Sequence, residues 1–153
     1  ANTEITDDNF SVLERLAHWQ AGWLMFENAP WLGVGIGNYS ANYGQHALPY
    51  WYDPLGHAHN AFINFLAETG ILGLGAFLGF WLALAWTLSR CVWRGCQSWE
   101  KALAVGLVGT WTYLTIHNLF DNLFVGHMQL QLALLLAAFF AVRRCSSEIT
   151  SLP

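Results

Sequence analysis

Charge is what this chain has least of. Asp, Glu, Lys and Arg make up 10% of its 153 residues, against 55% hydrophobic and 16% aromatic. That balance is too apolar for an ordinary soluble domain of this length, so an integral membrane protein is expected. Cysteine is scarce as well. Cys91, Cys96 and Cys145 are scattered, with no histidine beside them, which makes a poor zinc site. The chain opens without an initiator Met, a basic n-region or an apolar leader, so the export signal is expected elsewhere, in a longer protein of which this is the C-terminal part. Nothing repeats internally. The glycines of PWLGVGIGNYSANYG lack the Lys-Ser/Thr that would follow them in a nucleotide loop, so they read as a tight structural turn. No cofactor and no nucleic-acid partner is expected.

Long uncharged runs are what the chain does have. Thr69 to Ser89, Ala102 to Phe120 and Asn122 to Val142 hold 21, 19 and 21 residues. Each is close to the roughly 20 that cross a ~30 Å hydrocarbon layer as a helix. The expected fold is all-α: a polytopic membrane helical bundle with spans near 69–89, 102–120 and 123–142. A soluble bundle would need an equally apolar partner layer, which the sequence does not contain. Arg90, Arg94, Lys101, Arg143 and Arg144 fall on one side, the cytoplasmic one by the positive-inside rule. Residues 1–68 are then external, and residues 145–153 form a cytoplasmic tail whose closing SSEITSLP reads as short and disordered. All three cysteines fall on the cytoplasmic side, where thiols stay reduced, so no disulfide is expected.

In the external segment, Ser11 and Glu14 have the spacing of a capping box, which predicts an amphipathic helix over about 12–27 with Leu13, Leu16, Trp19, Trp23 and Phe26 on it. Its aromatic content suits the bilayer interface or a bundle surface. The stretch QHALPYWYDPLG reads as a loop at headgroup level, or equally as a surface that stacks on sugar rings. Gly70, Gly73, Gly75 and Gly79 suggest close helix approach.

With this topology, His18, His46, His57, His59, His117 and His127 all collect on the outer face, together with Asn118, Asp121 and Asn122. Polar groups at the membrane boundary are costly unless paired or used, so the cluster is a candidate site. Arg15 is the one external residue with a permanent positive charge, and its planar fork suits an anion such as pyrophosphate; the alternative is a helical ion pair with a neighbouring acid. His57 and His59 admit metal ligation, a structural role or acid–base chemistry. Metal needs three or four ligands, and no carboxylate lies at a close fixed spacing. Acid–base chemistry is favoured, because imidazole titrates near neutral pH and can take a hydroxyl proton. Asp121 either faces the same cavity as His59 or merely caps the third span.

The stretch HNAFINFLAETGILG carries His59-Asn60, nine residues, then Gly70-x-x-Gly73, and ERLAHWQAGWLMFENAPWLGVGIGNY precedes it. Together these resemble the arginine-bearing helix, the Pro-x-x-Gly-x-Gly-x-Gly-Asn segment and the His-Asn helix of the bacterial O-antigen ligase family. That family also includes O-antigen polymerases and O-linked protein oligosaccharyltransferases. The resemblance covers roughly Leu13 to Arg144 and implies a GT-C-type bundle in which a large periplasmic loop precedes the last three spans. It implies transfer of a glycan from undecaprenyl pyrophosphate to an acceptor hydroxyl of a glycan, lipid or protein, with no required metal. His59 matches the histidine that activates the acceptor and Arg15 a loop arginine that binds the donor; a further family arginine is expected upstream. Direct displacement would invert the anomeric carbon. His59 and Arg15 are the catalytic candidates, and Arg15, His57, Asn60, His18 and Asp121 the substrate-binding ones. Two other classes remain: a transporter would place more polar groups at mid-membrane than Trp111, Thr112 and Thr115, and a cytochrome would have only His117 and His127 to pair.

Overall fold

The computed structural model describes residues 4–93 and 96–150, and among them it is helical without a strand. The helices are α1 (Phe10–Asn28), α2 (Tyr39–Tyr43), α3 (Ala61–Trp93), α4 (Ser98–His117) and α5 (Met128–Thr150), with a short 3-10 turn at Leu123–Gly126. They fall into two compact units, Ala1–Leu78 with His117–Asn122, and Gly79–Ile116 with Leu123–Pro153.

In the first unit α1 begins at Phe10, with its N-cap two residues before the expected one at Ser11. Asn9 is the N-cap residue, but its side chain accepts from the Thr6 amide and donates to the Glu4 carbonyl, tying down the lead-in instead of the helix. Ser11 therefore lies inside the helix. The buried face is also the small one, formed by Ala17, His18, Ala21, Gly22 and Met25. Leu16 and Trp23 stay exposed. Small side chains let neighbouring backbone come close, and the large apolar ones are left for the surroundings. Pro30 stops the helix, with the Ala29 amide closing on Met25 and Phe26. The core then gathers Ala21, Met25, Tyr39, Tyr43, Ala58 and Ala67, with Val34, Ala47 and Ile63 against it.

α3 is two helices end to end. At Gly70 the backbone turns to φ 63°, ψ −167°, a conformation essentially reserved for glycine. A break in a helix frees amides and carbonyls that must find partners. The glycine loop after Pro30 supplies them. Val34 and Gly35 donate to the carbonyls of Ala67 and Glu68 at 2.9 and 3.0 Å, and Ile71 and Leu72 donate to those of Pro30 and Trp31 at 2.9 and 3.4 Å. The approach is so close that a Cβ on Gly33 would meet the Glu68 backbone, and one on Gly70 the Trp31 backbone. Gly73 clears the Thr69 side chain beside the break. The expected turn is thus a plug that replaces one helical turn's hydrogen bonds, and Gly75 and Gly79 have nothing within 4 Å.

In the second unit the Trp81 indole donates to the Thr115 hydroxyl at 2.7 Å, and the Trp111 indole to the Trp81 carbonyl at 3.0 Å. Cys91 and Cys96 are joined in a disulfide, which corrects the expectation of free thiols: their Cα atoms lie 5.3 Å apart, within bonding reach. Helix continues through Ser146–Thr150, where a disordered tail was expected; Arg94 and residues 151–153 lie outside the described residues.

Among the described residues one helix, Ala61–Trp93, is long and apolar enough to cross a membrane, and 17% of its most apolar window is buried. So little burial is unlike the core helix of a soluble protein. α4 falls short of the expected span because Glu100 and Lys101 lie in its first turn and Thr110 to Tyr113 at its centre.

Candidate active site

Asn60 starts α3 and sets the position of the histidine before it. Its Oδ1 accepts from the amides of Phe62 and Ile63 at 2.9 and 3.0 Å, which satisfies two of the free donors of a helix start. Its Nδ2 donates to the Leu119 carbonyl at 2.8 Å, while the Ala61 amide donates to that of Asn118. Asn60 is 7% exposed and its amide is committed to these bonds. They staple the start of α3 to the turn that carries Asp121.

His59 itself takes φ 50°, a left-handed conformation that a side chain this large adopts only when its surroundings impose it. Three contacts impose it here. The Trp19 indole donates to its carbonyl at 3.2 Å, its amide donates to His57 Nδ1 at 3.1 Å, and its ring Nδ1 lies 3.5 Å from Asp121 Oδ1. Both ring nitrogens are buried, and among the described residues neither has a hydrogen-bond partner. The ring is flanked edge-on by His57, with centroids 4.4 Å apart, and by His18 at 5.4 Å.

The electrostatics separate the members of this group. Burial, then the nearby His59 and His57, lower the His18 pKa to about 4, with Asp53 opposing weakly, so His18 is neutral at pH 7. The Tyr39 hydroxyl donates to the His18 carbonyl at 3.0 Å, so its oxygen accepts from His18 Nδ1 at 3.1 Å. That pattern assigns the Nδ1–H tautomer. Tyr43 stacks on the same ring at 4.6 Å, and burial pushes both tyrosines' pKa values up. Burial and then His59 lower His57. Burial alone would raise Asp121, but the Asn122 amide and the two histidines outweigh it and hold the carboxyl below its ordinary range.

This assignment makes a pH dependence of stability. The unfolded chain takes up a proton at His18 near pH 6.5 and the folded one only near pH 4. Between those values the unfolded state binds more protons, so stability falls as pH falls, by up to about 3 kcal/mol for a group 1% exposed. His57 acts in the same sense. Melting temperature in detergent should therefore drop steadily from pH 7 to pH 4.5, and a His18→Asn variant should show a flatter profile. An unchanged slope in that variant would assign the effect elsewhere.

His57, His59 and Asp121 could also hold a metal by composition, since their ligand atoms lie within 4.8 Å of one another. Asp121 is the carboxylate that sequence spacing could not supply. His57 Nδ1 already accepts an amide, however, which leaves a neutral His57 with its proton on Nε2 and no lone pair to give there. Cys91, Cys96 and Glu100 also lie together, but both thiols are in the disulfide.

Of the candidates, His18, His57, His59 and Asp121 are therefore gathered, with Asn60 beneath them. Arg15 lies one helical turn before Trp19 on the same face of α1 and donates to the Ser11 carbonyl at 3.0 Å; among the described residues no carboxylate lies within ion-pair distance of it. His46 is elsewhere, bonded to Asn28 and to the Asn42 carbonyl. Tyr39, Tyr43, Trp19 and Glu68 were not anticipated. Tyr39 and Tyr43 stand four apart, one helical turn, and Glu68 accepts from the Tyr39 amide at 3.1 Å to hold α2 in place.

All but the Asp121 turn of this arrangement lies within residues 1–78, and those residues match the sequence model of the O-antigen ligase family. The chain belongs to the O-antigen ligase family. The match takes in α1, the glycine loop, the His59-Asn60 pair and the Gly70 break. No curated protein matches the chain significantly. Membership supports a role in membrane-associated glycosyl transfer.

Proposed function

We propose that this chain is part of an inverting, metal-independent glycosyltransferase that moves a glycan from undecaprenyl pyrophosphate to an acceptor hydroxyl, with His59 as general base. The observation that carries it is the half-buried His59 imidazole, whose two buried nitrogens have no hydrogen-bond partner among the described residues while a carboxylate stands 3.5 Å from Nδ1. A base must keep a lone pair for the incoming hydroxyl, and a carboxylate on the opposite nitrogen orients the ring and stabilises the imidazolium that forms. Nε2 takes the hydroxyl proton, the oxygen attacks the anomeric carbon, and the bond to the lipid pyrophosphate breaks with its electrons on phosphate. Arg15 meets that growing charge. Asp121 orients His59, His57 lies at the rim as a neutral donor, and His18 and Asn60 are reassigned from substrate contact to positioning.

In this reading α3, α4 and α5 are three spans of an inner-membrane GT-C-type bundle, with the site external and the C-terminus cytoplasmic. The three uncharged runs and the exposed Phe80, Leu82, Trp86, Tyr113, Leu134 and Phe140 support it. Transfer to lipid A-type acceptors, polymerisation and transfer to protein all use the same chemistry at this site.

The test uses membranes of the full-length protein with lipid-linked glycan, measuring bound donor and transferred product separately. Arg15→Ala should weaken donor binding at least tenfold, as loss of a charge-assisted contact of about 1.5–3 kcal/mol implies. Arg15→Lys should restore part of it, because an ammonium lacks the two-pronged contact. Unchanged donor binding in Arg15→Ala would remove the arginine from the donor site.

A further inference from the structure

The plug that fills the break in α3 also leaves an apolar tip in the open. Trp31, Leu32 and Ile36 are 68%, 71% and 84% exposed, and no charged residue occurs from Ala29 to Asn38. Their position is not arbitrary. Trp31 is bonded through its carbonyl to the Leu72 amide, and Pro30 through its carbonyl to that of Ile71. Those are the first residues of the continuous apolar stretch after Gly70, and Ile71 and Leu72 are themselves 46% and 57% exposed. Trp31 and Leu32 thus continue, on a second piece of chain, the apolar surface with which α3 begins its crossing.

We propose that Trp31 and Leu32 insert into the outer boundary of the bilayer, so that the glycine loop is a lipid anchor that sets the depth at which α3 breaks. The occupant is lipid because the surface is continuous with a membrane-crossing helix and free of charge, and because an indole with an aliphatic neighbour suits the boundary between acyl chains and headgroups. The rigid pairing on both sides of Gly70 makes the loop and the helix one body, so anchoring the loop fixes the height of the segment Ala61–Thr69 that carries His59 at its start. The inference rests on α3 crossing the bilayer and is independent of what His59 does.

The experiment places a nitroxide at Leu32→Cys in full-length protein whose native cysteines are replaced by serine, reconstituted into nanodiscs of phosphatidylethanolamine and phosphatidylglycerol. Collision with oxygen, which concentrates in lipid, is compared with collision with a water-soluble nickel chelate. Trp86→Cys, on the exposed apolar face of α3, and Ser40→Cys, at an exposed position of α2, are the lipid and water references. The expected ratio of oxygen to nickel accessibility at Leu32 lies between the two references and above Ser40. A ratio equal to that at Ser40 would put the loop in water, and low accessibility to both reagents would put it against protein; either overturns the anchor. A Trp86 label as accessible to nickel as Ser40 would overturn it through its premise, leaving the glycosyl-transfer reading to be judged by activity alone.

Discussion

His59→Ala in the full-length enzyme should lower glycan transfer by roughly 10²–10⁴ while donor binding and membrane insertion stay near normal, the range expected for losing a positioned general base. The argument is chemical. A sugar hydroxyl is a weak nucleophile, and among the described residues His59 is the imidazole of the cluster whose two buried nitrogens are both without a hydrogen bond. His18 is held by Tyr39, and His57 takes the His59 amide. Alanine removes the imidazole but also changes a residue at φ 50°, so a backbone effect must be kept apart from a chemical one. Asparagine tolerates the left-handed conformation and has no basic nitrogen. His59→Asn should therefore fold as well as the parent and be as inactive as His59→Ala. Full transfer in either variant at normal expression would take the histidine out of the mechanism, and a loss of donor binding equal to that in Arg15→Ala would show that the two roles are wrongly divided.

Gly70→Ala should be severely damaging. The backbone conformation there costs a non-glycine residue about 1–3 kcal/mol, and forcing a Cβ into the Trp31 backbone adds an overpacking penalty of about 1–3 kcal/mol. Against a typical stability of about 5–15 kcal/mol, the sum is enough to cut the folded yield severely. The loss would reach the site, because the same junction holds Glu68 on the Tyr39 amide, and Tyr39 in turn holds His18 behind His59. Gly75→Ala is the matched control: a Cβ there meets nothing within 4 Å, and alanine favours helix. Purified yield and melting temperature of the two variants in one detergent decide the matter. Equal stability would mean that the close packing of the plug contributes little.

Much of the architecture was legible because it depends on contiguous residues. An uncharged run near the length of a bilayer crossing predicts a long apolar helix, and among the described residues α3 alone is long and apolar enough to cross. A histidine followed by asparagine and a helical pattern places an imidazole at a helix mouth, which is where His59 stands. The start of α1 was misplaced because Ser11 and Glu14 satisfy a local spacing rule while Asn9 finds its partners in the turn before it.

What the sequence by itself determined, then, is the helical apolar class, the family, and the place of His59 and Arg15 on their own elements, since periodicity and motif are read within a few turns of chain. Only the tertiary structure decided which distant residues meet. It set Asp121 beside His59, because Asn60 and Ala61 are bonded to the Leu119 and Asn118 carbonyls. It turned His18 from a substrate-binding candidate into a buried neutral side chain, because the small face of α1 packs inward. It closed Cys91 on Cys96, and it made the glycines a plug in a broken helix. Each of these depends on which backbone donors and acceptors are left over once the local helices have formed. That remainder is satisfied by whatever chain the fold brings near, a pairing that no local pattern of residues encodes.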